Sequence, residues 1–392
     1  MRKISANYIF PVSGAPLKNG IIVLDSNNVI TDIIDTGGNL KETANLEYYN
    51  GIIVPGFVNS HCHIELSHLK GKLQQKTGLP HFISQVNNQP KAGLNIIHEE
   101  IQNSHDEMIK NGIVAVGDIC NTSNSFTIKA SEEISYHSFI EIFGLEAKNA
   151  KKIIQNGEML LQQISKIFPH PHSLIPHAPY SVSPELFTQL SHFFQSSIVS
   201  IHNQESKAEK EMFNSGKGAL YNSLSKFVNL SKWDPEHNNS LQYSLNYLQN
   251  SKQILLVHNT FTDQEDLKIA DPFLSKIYWV LCPNANLYIE NQLPDIKLLR
   301  KHKLNIALGT DSLASNSSLS ILEEIKTISS HFPDIKLEEL IKWGTLNGAK
   351  ALNFSNQYGS LEVGKKPGIN LISTLDLENM KINSESVVKK LA

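Results

Sequence analysis

Short apolar runs separated by helix-like stretches fill the chain from residue 52 to residue 308. Eight runs stand in order: Ile52–Val58, Ile113–Gly117, Ser138–Phe143, Ser173–Ile175, Ile198–Ile201, Ile254–Val257, Ile277–Leu281 and Asn305–Leu308. Between them, Ser183-Pro184 reads as an N-cap followed by proline at the first helical position. Leu186, Leu190, Phe193 and Phe194 follow it at helical spacing. Ser320 with Glu323 resembles a capping box, and Leu322, Ile325 and Ile328 form one stripe. Ile97, Ile101 and Met108 form a similar stripe earlier. Eight β-then-α units in succession predict an α/β protein built as a (β/α)8 TIM barrel. A doubly wound sheet is the alternative, but no GxGxxG follows a strand to support it.

Both ends break the pattern. Residues 1–55 read as short strands and turns: a strand at Gly20–Leu24, a turn at Asp25–Asn28, a strand through Val29–Ile34, and a stop at Gly37-Gly38. Residues 356–392 return to the same chemistry around Gly359-Ser360-Leu361, Gly364–Gly368 and Ile369–Ser373. We expect the two ends (1–55 and 356–392) to pair as one small β-sandwich domain beside a barrel domain of residues 56–355. The 392-residue length suits this division, since a barrel takes ~250 residues. The connections 64–92 and 206–250 are longer than simple loops require and are expected to cover the active-site face.

Composition narrows the setting. The formal net charge is -3, from 35 basic and 38 acidic residues, with no basic stripe, which argues against a nucleic-acid partner. No apolar run approaches the ~18 residues of a membrane helix, and no apolar core of a signal peptide follows Arg2 and Lys3. Cys62, Cys120 and Cys282 form no CxxC pair, as expected of a reduced, cytoplasmic protein.

The histidines carry the chemical signal. Of 16, His61 and His63 follow the first predicted strand, His177 the fourth, His202 the fifth and His258 the sixth, while Asp311 follows the eighth. Barrel active sites are built at these carboxyl ends. On an extended segment, His-x-His puts both imidazoles on one side and Cys62 on the other. His202 and Asp311 can complete an N,N,N,O set suited to zinc or ferrous iron. Such an ion lowers the pKa of bound water to ~7. Glu205, three residues after His202, is then a candidate proton shuttle, and His258 a candidate for facing the water or an oxyanion.

These residues resemble the amidohydrolase superfamily, in the branch that holds adenosine-type, guanine and cytosine deaminases and triazine chlorohydrolases. The matching motifs are Pro55-Gly56-Phe57-Val58-Asn59-Ser60-His61-Cys62-His63, His177-Ala178-Pro179-Tyr180-Ser181, His202-Asn203-Gln204-Glu205, His258, Cys282-Pro283-Asn284-Ala285-Asn286, Gly309-Thr310-Asp311-Ser312 and Gly359–Lys365. The resemblance implies one divalent metal ion on His61, His63, His202 and Asp311, with zinc first and iron(II) as the alternative. It implies that Glu205 moves protons between water and a ring nitrogen and that His258 orients the water. Asp311 would accept the water's proton, the hydroxide would attack the amino-bearing carbon, and ammonia would leave. His177 would contact the substrate. No lysine stands at the end of the fourth strand to bridge two metals, and Lys148 is a poor substitute, so one metal is expected.

The stretches His63–His68 and Gly78–Ile83 resemble aminofutalosine deaminases, which implies substrate contacts for Glu65 and Ser67 and an adenosine-like small-molecule substrate. Aminofutalosine, adenosylhomocysteine and methylthioadenosine types remain open. Lys70-Gly71 stands where the adenosylhomocysteine deaminases carry arginine-glycine. The family also implies a homodimer. Ring-amide opening or dechlorination on the same metal is the alternative chemistry, and a non-catalytic scaffold is a remote one.

Overall fold

The computed structural model describes residues 1–41, 44–131, 133–168, 170–230 and 239–392. Strands β1 (Arg2–Ile9), β2 (Leu17–Lys18), β3 (Ile21–Leu24), β4 (Ile30–Ile34) and β5 (Leu46–Pro55) come first. The central strands are β6 (Phe57–Cys62), β7 (Ile113–Cys120), β8 (Ser135–Ile142), β9 (His172–Pro176), β10 (Ile198–Asn203), β11 (Gln253–His258), β12 (Ile277–Leu281) and β13 (Ile306–Leu308). Strands β14 (Ile369–Ser373) and β15 (Val387–Lys390) end the chain.

The central strands form two parallel four-stranded sheets, β6-β7-β8-β9 and β10-β11-β12-β13, with helices between successive strands. The ladders do not run as one continuous ring. At one seam the N–H groups of Thr310 and Asp311 both donate to His61 O, at 3.0 and 3.1 Å. At the other, His202 N donates to His177 O at 2.9 Å. The result is a TIM-barrel-like fold whose two seams lie beside the histidines. Strands from both ends of the chain share one further sheet, ordered β15-β14-β5-β1-β3-β4 with β2 on β1. Its register pairs Ile369 with Pro55 and Ile372 with Ile52.

The apolar run Ile52–Val58, expected to be one strand, serves both sheets. Pro55 ends β5 and Gly56 turns the chain, so that β6 begins at Phe57. The Gly56 N–H bonds out of line to Pro367 O and Gly368 O at 3.2 and 3.1 Å, so the run cannot continue as one ladder. Ser183 caps the helix Pro184–Leu190 by accepting from Leu186 N at 3.2 Å, while Phe193 and Phe194 fall beyond it. Ser320 caps Ile321–His331, but the carboxylate of Glu323 accepts from Lys326 Nζ at 2.7 Å rather than completing a box. The connection 64–92 contains the helix Leu79–Asn88, and 206–250 contains Lys207–Ser215, Ala219–Leu224 and Ser240–Leu248. Part of that second connection, residues 231–238, lies outside the described residues. Among the described residues, no helix is long and apolar enough to cross a membrane.

Gly309 sits where β13 meets β6. A Cβ there would lie 2.9 Å from both the Cβ and the carbonyl oxygen of His61, so only glycine allows this approach. Gly309→Ala is expected to cost about 1–3 kcal/mol by overpacking. The measurement is the thermal midpoint with metal content, and an unchanged protein on both counts would show that the seam tolerates the methyl group.

Candidate metal centre and active site

Polar side chains collect where the parallel strands end. His61 is on β6, His63 just beyond it, His202 on β10, and Asp311 shortly after β13, and all four are buried. Cys62, pointing the other way from its neighbours, belongs to the apolar core. His63 Nε2 lies 3.1 Å from His61 Nε2, 3.3 Å from His202 Nε2 and 3.4 Å from Asp311 Oδ1. His61 Nε2 lies 3.5 Å from the same oxygen. Donors around one tetrahedral zinc, with Zn–N bonds of ~2.0–2.1 Å, stand ~3.3 Å apart. The four groups therefore fit one divalent ion in spacing and in chemistry. A looser grouping, within 4.8 Å, unites His258 with His61, His202 and Asp311. The set with His63 is the better donor set, because its separations of 3.1–3.5 Å between His63, His61 and Asp311 and of 3.3 Å to His202 are those that one shared ion imposes.

Electrostatics suit ligation. Burial, then the charge of His61, pulls His63 down to about 3, so its imidazole is neutral at ordinary pH. Burial, then His177, takes His202 well below its ordinary value. His202 Nδ1 donates to His177 O at 2.8 Å, which leaves Nε2 free to bind a metal. Burial pushes the Asp311 carboxyl up, but the hydrogen bond with His61 and the charges of His63 and His258 outweigh it and hold the group well below the usual carboxylate range. Ser315 Oγ donates to Asp311 Oδ2.

Glu205 and His258 flank the cluster, with Glu205 Oε1 3.7 Å from His258 Nε2. Burial, then the Asp311 charge, raises the Glu205 carboxyl well above its ordinary value and favours its protonated form. Glu209 fixes the turn beneath it: its two oxygens accept from Gln204 N and Glu205 N, each at 3.0 Å. His258 Nδ1 donates to Asn286 Oδ1 at 2.9 Å, and its buried Nε2 has no hydrogen-bond partner. His258 and Asp311 have φ of 73° and 58°, a left-handed conformation that costs about 1–3 kcal/mol and is characteristic of functional sites. His177 Nδ1 donates to Ser181 Oγ at 2.7 Å, which leaves Nε2 for the cavity that His177 lines.

Two expected residues lie elsewhere. Glu65 does not line the cavity: one oxygen accepts from Asn121 N and Thr122 N, the other from Ser125 Oγ, all at 3.1 Å. Ser67 Oγ donates to Ile64 O at 2.6 Å and is buried. Within the short helix Ile64–Leu69, Glu65 ties the chain after His63 to the loop after β7, while Ser67 closes its own turn. Lys148, the poor candidate for a bridging lysine, is exposed and pairs with Glu146 at 3.3 Å. Conversely, Glu141 and Asn121 line the cavity without having been singled out. Glu141 stands near the carboxyl end of β8 but inside the apolar run Ser138–Phe143, so the rule that located the histidines just beyond their strands does not reach it.

A TIM-barrel-like scaffold with three imidazoles, a carboxylate and a buried acid at its strand ends defines a hydrolase. The chain belongs to the amidohydrolase family, whose model matches residues 52–391. It is similar to an adenosine deaminase of Helicobacter pylori, with 28% identity over 335 residues that cover 83% of this chain and 79% of that protein. The crystal structure of Helicobacter pylori aminofutalosine deaminase in complex with methylthio-coformycin matches with a TM-score of 0.79 at 23% identity, covering 96% of this chain and 93% of that one. Atrazine chlorohydrolase from Arthrobacter aurescens, complexed with zinc, matches with a TM-score of 0.72 at 16% identity, covering 98% and 90%.

Proposed function

We propose that the protein hydrolytically deaminates an adenosine-type nucleoside at a single metal site formed by His61, His63, His202 and Asp311. The observation that carries this reading is the buried acid Glu205 beside a four-donor cluster in which His63 Nε2 lies 3.1–3.4 Å from each of the other three donors. A divalent ion held there would supply water acidified to near neutral pH. Asp311 takes the first proton from the water. Glu205 passes a proton to the ring nitrogen next to the amino-bearing carbon, and His258 Nε2 holds the water in line. Water adds at that carbon, its C–N bond to the amino group breaks, and ammonia leaves after protonation while the ring gains a carbonyl. His177 Nε2 meets the substrate. The raised Glu205 carboxyl supports a proton-demanding leaving group such as ammonia over chloride. The donor set supports zinc, with iron(II) as the alternative. Three buried, unpaired cysteines agree with a cytoplasmic protein. The family resemblance extends to a homodimer, to closure of the two half-sheets into a (β/α)8 barrel (56–355), and to a small β-sandwich domain of 1–55 with 356–392.

The cavity, about 520 Å³, narrows the choice of nucleoside. Its outer wall is apolar. Leu79, Phe82, Ile83 and Val86 form one stripe of the helix Leu79–Asn88, and Phe143 and Phe227 remain 56% and 65% exposed at the rim. Exposed aromatics beside a cavity suit an apolar ligand group. Among the described residues, no Lys or Arg lines it. The carboxylate of an amino-acid tail would lose hydration here without gaining a cationic partner. Ammonia release with metal analysis tests both points. Methylthioadenosine is expected to exceed adenosylhomocysteine in kcat/KM by about tenfold or more. Equal rates would remove the apolar-wall argument, and no ammonia from any nucleoside would sink the deaminase reading.

A further inference from the structure

One buried acid in the cavity has no task in this mechanism. Glu141, the penultimate residue of β8, is 5% exposed and lines the cavity near the cluster. Its Oε2 accepts from Asn121 Nδ2 at 3.1 Å, and the same amide nitrogen donates to Glu141 O at 3.1 Å, so the side chain is clamped. Its Oε1 is buried and has no hydrogen-bond partner. His202 Nδ1 is 3.6 Å away, but its proton already goes to His177 O at 2.8 Å. A buried carboxylate oxygen left without a donor is costly, and native structures seldom leave one unmet. This oxygen therefore awaits a donor that the protein does not supply.

The chemistry of an adenosine-type nucleoside identifies that donor. Its ring nitrogens N1, N3 and N7 only accept. Its donors are the exocyclic amine and the sugar hydroxyls. The amine belongs at the metal cluster, with Glu205 at the end of β10 and His258 at the end of β11. Glu141 comes from β8, in the other half-sheet. We propose that Glu141 is a specificity-determining residue that accepts a hydrogen bond from the 2′- or 3′-hydroxyl of the nucleoside and so selects ribonucleosides. This inference rests on the deaminase reading.

The competing role is structural: Glu141 could orient His202, as carboxylates behind metal-bound histidines do. Steady-state kinetics of the metal-loaded wild type and Glu141→Gln, on adenosine, 2′-deoxyadenosine and 3′-deoxyadenosine, separate the two. Metal content is measured for both proteins. Removing the recognised hydroxyl is expected to lower wild-type kcat/KM by about 5–100-fold, the cost of leaving a buried acceptor without its donor. Glu141→Gln should lose activity on adenosine mainly through KM, keep its metal, and lose little more on the matching deoxynucleoside. A wild type indifferent to both hydroxyls overturns the inference. So do losses that multiply for both analogues, or a variant that sheds its metal. If the metal-loaded wild type releases no ammonia from any nucleoside, the deaminase reading falls and this inference with it. If it deaminates adenosine and the losses multiply, only the inference falls.

Discussion

Glu205→Gln is expected to lower kcat by about 10²–10⁴, the usual share of a general acid–base group, while leaving the metal content of the protein unchanged. The substitution keeps the size of the side chain and removes only its ability to give and take a proton. Its neighbourhood should survive, because Glu209 holds the turn through the backbone N–H groups of Gln204 and Glu205 rather than through the Glu205 side chain. Glu205 is also absent from the four donors that lie at ligand spacing, so metal binding does not depend on it. The carboxyl is suited to the task because burial and the nearby Asp311 raise it well above its ordinary value. It is therefore more readily protonated than an ordinary carboxylate, as delivery of a proton to a ring nitrogen requires. Single-turnover ammonia release beside metal analysis is the measurement. A variant that keeps both its metal and its full rate would remove Glu205 from the mechanism.

The candidate metal donors were legible because ligation restricts residue type. Only a few side chains bind such an ion, and His61, His63, His202, His258 and Asp311 all fall at predicted strand ends. Sequence adjacency was a poorer guide to orientation. Glu65 follows His63 by two residues, yet the turn Ile64–Leu69 swings its carboxylate onto Asn121, Thr122 and Ser125. Glu141 was hidden for the opposite reason, since an isolated acid inside the apolar run Ser138–Phe143 reads as part of a strand. The helix Leu79–Asn88 escaped notice within a presumed loop, although its stripe from Leu79 to Val86 has helical spacing. The pairing of β5 with β14 joins residues more than 300 positions apart, such as Ile53 with Leu371, and no local pattern encodes that contact.

His63→Ala is expected to lose the metal and with it nearly all activity, and chelated wild type should behave alike until metal is returned. His63 is the sharper test among the four donors, because its Nε2 lies within 3.1–3.4 Å of all three others. Removing it would leave three candidate donors, His61, His202 and Asp311, in place of four. The metal-free wild type holds His63 neutral, pulled down to about 3 by burial and then by His61, so an ion displaces no proton from it near pH 7. Binding to the folded state alone should then stabilise the protein by about 4 kcal/mol at a free metal concentration 1,000 times Kd. Thermal denaturation reads this directly: zinc should raise the midpoint of chelated wild type and leave that of His63→Ala nearly unchanged. Restored activity in parallel with the restored midpoint would tie the reaction to this cluster. A His63→Ala protein that retains one metal per chain and full turnover would move the metal to the looser grouping that includes His258, and would leave His63 as a buried neighbour.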